Sequence, residues 1–247
     1  MERIDFSHGF DTLLNSDALT GSFGEASNRR NIKLDEYEKS VFLTQAQEEE
    51  VLSLYTGKNA AGEGFEQTEE IRRYLSTLIK EEELPPLEAS EAHDDEPAVV
   101  LPKGMETYSK FFKLPTDLWF ITYEAALITN DSCDSKLDVY PVRQDEYHKL
   151  RKNPFRGAND RRALRLDLSE GNVEIISTKG VTSYYVRYLR KLNPIVLIDF
   201  GSEISVNGVS QATDCELPDF LHQRILERAV MLALRAKGVR LENNENR

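Results

Sequence analysis

Five consecutive residues, Asp145 to Lys149, come nearest to a catalytic group in this sequence. They read Asp-Glu-Tyr-His-Lys, and an acid, a histidine and a lysine, together with a metal ion, can cleave a phosphodiester bond. Consecutive residues on a helix point in different directions, so these side chains do not converge on one site. A solvated helix surface is the preferred interpretation. A metal-dependent nuclease is kept as an alternative.

The glycine and histidine positions argue against a cofactor or a metal. Gly57 and Gly64 flank a loop that lacks the Gly-Lys-Ser/Thr ending of a phosphate-binding loop, and no Gly-x-Ser-x-Gly nucleophile motif occurs. No two histidines have the i, i+4 spacing of a helical zinc site. We therefore expect a protein without cofactor, metal or catalysis. The four histidines are His8, His93, His148 and His222.

The cysteines and the apolar content indicate the compartment. Cys133 and Cys215 are too few for a disulfide scaffold and have no Cys or His neighbour at metal-ligand spacing, so we expect reduced thiols. The N-terminal segment carries charges throughout, unlike a signal peptide. No stretch reaches the roughly 18 apolar residues that span a bilayer. The sequence predicts a soluble protein that is made in the cytoplasm and has no membrane contact.

Charge divides the chain into an acidic first part and a nearly balanced second part. Residues 1–100 carry 23 Asp and Glu against 9 Lys and Arg, a net charge of −14. Residues 101–247 carry 20 against 22, a net charge of +2. The acidic part argues against wrapping nucleic acid, because such binding needs cations that displace counterions.

A local basic run lies within the second part, over residues 143–165. A solvated surface is its default explanation, and contact with an acidic partner or with DNA is the functional one. Its central cations flank a Pro/Gly/Asn loop, where a rigid scaffold commonly carries contact residues. We expect an interface with an acidic protein surface, and a DNA-binding module remains the alternative. The candidate interface residues are Arg151, Lys152, Arg156, Arg161 and Arg162.

Composition also divides the chain into four regions. Residues 1–33 mix Gly, Ser, Asn and Asp with scattered apolar residues, which is typical of an extended arm. Residues 34–84 have helical periodicity, residues 85–100 form an exposed acidic linker, and residues 101–247 are rich in strand patterns. We predict an α+β fold: N-terminal helices and arm, an antiparallel β-sheet region and a C-terminal amphipathic helix.

Capping patterns place the helices of the second region. A helical segment is expected over residues 34–42. Another helix begins at Thr44, the first residue of a Thr-x-x-Gln capping box, and ends at Gly57. A third begins after Thr68 and continues to the Pro-Pro pair at residue 85.

Aromatic and β-branched runs predict six strands in the last region, with a short helix over residues 144–152. Trp119 lies in the first strand and is expected in the core. Pro141 suggests that the second strand is at an edge or ends there. The predicted strands span residues 118–129, 137–142, 163–168, 173–177, 184–189 and 195–200.

The final predicted helix, residues 220–236, carries a broad apolar stripe. We expect this helix to cover the sheet, which would bury Leu226 and Val230 between them. His222, one turn into the helix, is expected to be a packing residue.

Six segments cover most of residues 34–238, and their order is more specific than any one of them. They are LDEYEKSVFLTQAQEEEVLSLYTG, FEQTEEIRRYLSTLI, KFFKLPTDLWFITYE, VRQDEYHKLRKNPFRGANDRRALRLDL, YYVRYLRKLNPIVLIDF and CELPDFLHQRILERAVMLALRAKG. Together they resemble a virion protein of the crAss-like podoviruses. The order of segments from Pro115 onward also resembles the head–tail connector, or adaptor, proteins of short-tailed phages.

The resemblance implies a structural virion protein at the head–tail junction or in the tail. Its expected partners are further copies of itself in a dodecameric ring, the portal protein, and other tail or ring proteins. Genomic DNA would pass through the ring without specific binding, and an acidic surface suits that passage because it repels phosphate.

Overall fold

The computed structural model of the chain describes residues 1–15, 33–59, 62–88, 103–130, 133–201 and 204–237. The helices in these ranges are α1 (Arg3–Leu14), α2 (Glu36–Thr56), α3 (Glu69–Tyr74), α4 (Gln144–Leu150) and α5 (Asp219–Ala236). The strands are β1 (Ile79–Leu84), β2 (Lys110–Lys113), β3 (Leu118–Asn130), β4 (Cys133–Pro141), β5 (Arg162–Asp167), β6 (Asn172–Ile176) and β7 (Ser183–Arg190). None of the described helices is long and apolar enough to cross a membrane.

The chain folds into two compact units. A helical unit is built from Met1–Thr77 together with Leu192–Arg247, and a sheet unit from Leu78–Lys191. Helices and a large sheet confirm the α+β class. The expected division at residue 101 is wrong, because the strands begin at Ile79 and the C-terminal helix belongs to the helical unit.

The predicted extended arm is wrong for its first half. Residues Arg3–Leu14 form α1, and Phe6, Phe10 and Leu14 are buried along one side of it. These apolar residues are four apart, which places them on one helical face. Residues 16–32 of the predicted arm lie outside the described residues.

Helix α2 is continuous where two helices were expected. Asp35 begins it, accepting a hydrogen bond from the Glu38 amide at 2.7 Å, and Gly57 ends it in the left-handed conformation with φ of 75°. The predicted start at Thr44 is wrong, since Thr44 lies buried in the middle of the helix. Its Oγ1 accepts a hydrogen bond from the Ile195 amide at 3.0 Å, so a residue typical of caps serves a tertiary contact.

The predicted strand over residues 195–200 is also wrong. This segment lies along α2, where the amides of Ile195 and Leu197 donate to the hydroxyls of Thr44 and Ser40. An isolated bridge between Val196 and Thr213 is its only ladder contact among the described residues. The buried apolar and β-branched residues of this segment pack in the core of the helical unit and do not form a strand of the sheet.

The C-terminal helix α5 packs against α1 and α2. Leu226 and Val230 are buried as expected, at 2% and 0% exposure, but between helices. Gly9 of α1 makes the approach close, because a Cβ at that position would lie 2.8 Å from Cδ2 of Leu226. His222 is buried, with its ring centroid 5.2 Å from that of Phe6, which confirms its packing role.

The sheet unit is a seven-stranded mixed sheet with the strand order β1-β7-β3-β4-β5-β6-β2. Neighbouring strands are antiparallel, except that β4 and β5 run parallel. A parallel pair needs a crossover, and α4 with the loop that follows it forms that connection. One core cluster draws on all seven strands, with Leu84 from β1 and Phe112 from β2 in the same cluster, so the sheet curls around it.

Residues Ile79–Leu84, which were predicted to be the end of the third helix, form strand β1. Thr68 precedes α3 as expected, but the helix ends at Tyr74 and the chain enters β1 at Ile79. Cross-strand contacts hold β1 to β7, including an ion pair between Glu81 and Arg187 at 2.6 Å. These partners lie a hundred residues later, so local helical periodicity does not reveal them.

The other five predicted strands are present, and Pro141 ends β4 as expected. Trp119 is half-buried in β3, stacked on Phe120 with ring centroids 5.1 Å apart, and does not belong to the buried core. The predicted acidic linker over residues 85–100 lies mostly outside the described residues.

Candidate interaction surface

The run from Asp145 to Lys149 occupies α4, and its side chains diverge. Tyr147 points inward, packs with Leu164 of the sheet, and donates a hydrogen bond to Glu106 at 2.6 Å. Asp145 is exposed and pairs with Arg143 at 3.0 Å, and His148 is exposed. Burial, and then the Glu106 hydrogen bond, raise the pKa of Tyr147, so its phenol stays protonated.

This divergence matches the expected solvated helix. Within the described ranges, no group of three His, Cys, Asp or Glu side chains could hold a metal ion. The acid, the histidine and the lysine required for metal-assisted phosphodiester cleavage therefore do not share a site on α4.

The five candidate cations lie in residues 151–162, here called the basic loop, which connects α4 to β5. Arg151 pairs with Glu106 at 2.8 Å, and the Arg162 guanidinium lies 4.4 Å from the centroid of the Tyr140 ring. Arg162 also donates a hydrogen bond to the carbonyl of Phe155 at 2.6 Å. These two arginines therefore hold the loop to the sheet unit.

The other three cations, Lys152, Arg156 and Arg161, are exposed. None of them forms an ion pair with a carboxylate of the described residues. Asp160, the carboxylate within the basic loop, pairs instead with Lys179 at 3.4 Å. The structure thus divides the candidate set into two anchoring arginines and three cations that face solvent.

The backbone of the basic loop is fixed by Asn153. Its Oδ1 accepts hydrogen bonds from the amides of Phe155 at 2.9 Å and Arg156 at 3.2 Å, and its carbonyl accepts from the Gly157 amide at 2.8 Å. A Cβ on Gly157 would lie 2.8 Å from that carbonyl, so only glycine allows this turn. The free cations stand on a preorganised loop, which lowers the entropy lost on binding.

Phe155 is the functional candidate that sequence reasoning missed. Its side chain is 84% exposed at the tip of the basic loop, the largest exposure among the described large apolar residues. The signal was present in the sequence, because a phenylalanine stands in a polar cationic loop between Pro154 and Gly157. Composition alone marked this segment as a charged surface.

An exposed acidic surface lies on the helical unit, at the loop before α3 and in its first turn. Glu63, Glu66, Glu69 and Glu70 are all exposed. Glu69 pairs with Arg73 at 2.7 Å, and Glu70 accepts a hydrogen bond from the Tyr74 hydroxyl. The four carboxylates outnumber the two cations of α3, so the chain carries an acidic surface as well as a basic one.

Comparison with known proteins identifies the family of the chain. The sequence profile of the family described as phage tail ring protein 3/4 matches residues 1–245. The chain is 43% identical to "Ring protein 3" of Bacteroides phage crAss001 over 251 residues, covering 99% of this chain and 100% of that protein. It is 31% identical to "Ring protein 4/5" of the same phage over 242 residues, covering 94% of this chain and 92% of that protein. The chain therefore belongs to the phage tail ring protein 3/4 family and is a structural ring protein of a crAss-like phage.

Proposed function

We propose that this chain is a subunit of a ring that connects the capsid portal to the tail and encloses the DNA channel, without catalysing a reaction. The names of its relatives support a ring. The order of its segments, which resembles that of short-tailed phage adaptors, supports a place at the head–tail junction in a dodecamer. Its partners are further copies of itself, the portal protein, and other ring or tail proteins.

One observation carries this proposal: the basic loop presents three exposed cations on a fixed backbone, not paired with any carboxylate of the described residues, and the helical unit of the same chain presents exposed carboxylates. A cyclic ring needs two different surfaces on each subunit that meet head to tail. Opposite charges on those surfaces favour the correct pairing over like-with-like contacts. We assign Lys152, Arg156 and Arg161 to the contact, and Arg151 and Arg162 to its support.

The charge of the whole chain suits DNA passage. A net charge of −12 repels phosphate, so DNA can move along a ring of such subunits without being held. A DNA-contacting role for the basic loop is the second candidate, because its three exposed cations could also contact the phosphate backbone.

The test reverses the three free cations together: Lys152→Glu, Arg156→Glu and Arg161→Glu. Single surface pairs contribute below about 1 kcal/mol, so one reversal would be too mild to interpret. Reversing Lys103, Lys110 and Lys136, which are exposed cations elsewhere on the sheet unit, is the matched control. Ring formation, with and without purified portal, is measured by mass photometry and negative-stain microscopy.

We expect the loop variant to lose ring formation while its melting temperature stays close to that of the control. Normal rings from the loop variant, combined with virions that leak their genome, would place the loop in the channel and contradict the assignment. Failure of the unmodified chain to form rings, alone and with portal, would contradict the proposed function itself.

A further inference from the structure

Phe155 is not explained by charge. Exposing 84% of a phenylalanine side chain to water is unfavourable. The turn that carries Phe155 is nevertheless fixed, because Asn153 accepts a hydrogen bond from the Phe155 amide and the Arg162 guanidinium donates one to the Phe155 carbonyl. Aromatic side chains held on rigid backbone and surrounded by polar residues are typical anchors of protein interfaces. A surface that offers an apolar contact as well as carboxylates would therefore complement the basic loop.

The helical unit carries an aromatic pair that could provide this contact, formed by an exposed phenylalanine and a half-buried tyrosine. Phe220, in the first turn of α5, is 53% exposed, and its ring centroid lies 4.4 Å from that of Tyr74 at the end of α3. The pair can accept a third ring by edge or offset contact.

Carboxylates border this aromatic pair. The Tyr74 hydroxyl donates to Glu70, and Glu69 precedes Glu70 on α3. Asp219 precedes Phe220, and its side chain is 88% exposed and pairs with the Met1 amine at 3.0 Å. Tyr74, Phe220, Glu69, Glu70 and Asp219 are here called the acidic aromatic patch. Arg72 and Arg73 also lie on α3, but Arg73 is paired with Glu69 at 2.7 Å.

We infer that Phe155 of one copy packs on Tyr74 and Phe220 of a second copy, while Lys152, Arg156 and Arg161 face the carboxylates of the acidic aromatic patch. The occupant is a copy of this chain because one chain carries both complementary surfaces, one on each unit. Two different surfaces that pair between copies generate a head-to-tail ring when the rotation from copy to copy closes. This inference rests on the proposed function, because it requires that the chain form a ring. It adds which residues of neighbouring copies are in contact.

Cross-linking tests the pairing directly in the full chain. Phe155→Cys and Phe220→Cys are prepared as single variants and as a double variant, and each is treated with a short bismaleimide. Burial raises the pKa of the Cys215 thiol to about 11, so this thiol reacts slowly and the unmodified chain serves as background.

We expect cross-linked dimers when the two single variants are mixed, and a ladder of multimers from the double variant. Neither single variant alone should exceed the background. Cross-linking of the double variant within one chain only, or no cross-link in assembled rings, would overturn the inference.

Energetic coupling is the second test. Phe155→Ala should raise the concentration required for half-maximal assembly roughly tenfold, as expected for an interface anchor. Ile198→Ala, which truncates another side chain that is 48% exposed, is the matched control. The triple reversal of Lys152, Arg156 and Arg161 should weaken assembly, and adding Glu69→Arg and Glu70→Arg to it should restore assembly. The same two changes added to the control reversal of Lys103, Lys110 and Lys136 should weaken assembly.

The outcomes separate the two claims. If the unmodified chain forms rings and Phe155→Ala forms them at the same concentration, the inference is wrong and the ring proposal stands. If the unmodified chain forms no rings under any of these conditions, both are wrong.

Discussion

His222 shows how burial determines the chemistry of a single side chain. One ring nitrogen, Nε2, lies 2.8 Å from the carbonyl of Leu217 and donates to it. The other, Nδ1, lies 2.9 Å from the amine of Met1 and 3.3 Å from Asp219. Burial is the main reason that the pKa of His222 is lowered, so the ring is neutral in the folded helical unit.

This lowered pKa predicts that acid destabilises the helical unit. The unfolded chain takes up a proton on His222 near its ordinary pKa of about 6.5, whereas the folded chain resists protonation. The stability contributed by the neutral ring is complete above that pH and is lost as the pH falls toward the folded pKa. Thermal unfolding followed by circular dichroism from about pH 7.5 to about pH 5.5 measures the loss.

His222→Gln is the matched variant, because its amide can still donate to Leu217 but does not titrate in this range. We expect this variant to have a smaller drop in melting temperature between the two pH values than the unmodified chain. An equal drop in both proteins would mean that other groups cause the acid sensitivity.

Glu124 of β3 shows what a sequence does not disclose about single residues. It stands within the apolar run from Leu118 to Thr129, and it is paired with Arg165 at 2.7 Å and with the Tyr184 hydroxyl. Burial raises the pKa of Glu124, and Arg165 opposes that shift. Arg165 belongs to β5 and Tyr184 to β7, so the hydrogen bonds and the ion pair that stabilise the buried Glu124 carboxylate depend on the order of the strands. The residues around Glu124 in the sequence do not reveal that order.

Among the secondary-structure elements, α1 and α5 give the most direct prediction. Leu226→Ala should lower the free energy of unfolding by about 2–5 kcal/mol, because it leaves a cavity in a packed helical core. Gly9→Ala should be neutral or destabilising despite the higher helix propensity of alanine, since its Cβ meets Cδ2 of Leu226 at 2.8 Å. Urea unfolding of both variants gives the two values.

The double variant is the decisive control. Because the alanine methyl of Gly9→Ala can occupy space that Leu226→Ala vacates, we expect the pair of substitutions to cost less than the sum of the single ones. Additive costs would mean that α1 and α5 do not pack at this point.

Local signals predicted some elements and failed at others for one physical reason. The end of α2 at Gly57, the whole of α5 and five strands could be predicted, since turn chemistry and periodicity lie within each segment. β1 and the segment over residues 195–200 could not, because their partners are β7 and α2, more than a hundred residues away. The candidate cations were found by composition, but composition did not separate the free ones from Arg151 and Arg162.

For the whole molecule, the charge balance predicts weak DNA binding. A chain with a net charge of −12 gains little from counterion release on duplex DNA, although Lys152, Arg156 and Arg161 are exposed. In fluorescence anisotropy at about 150 mM salt we expect no saturable binding in the range of specific proteins, about 10⁻⁸ M or tighter. Tight binding with a steep salt dependence that the triple reversal removes would favour the DNA-contacting alternative.

Residues up to Thr77 and residues from Leu192 onward form one helical unit, and this determines the order in which its parts are synthesised. Helices α1 and α2 leave the ribosome first, but the residues that cover them follow Leu192, after the whole sheet unit of Leu78–Lys191. At about 5–20 residues per second, the sheet unit takes roughly 6–23 s to translate. During that interval the sheet unit can fold through its own contacts. Leu43, Val51 and Leu54 of α2 stay exposed to water, because α5, which packs against α2, has not yet been synthesised. A ribosome that stalls before α5 therefore releases a chain with a finished sheet and an open helical unit, which chaperones and proteases recognise.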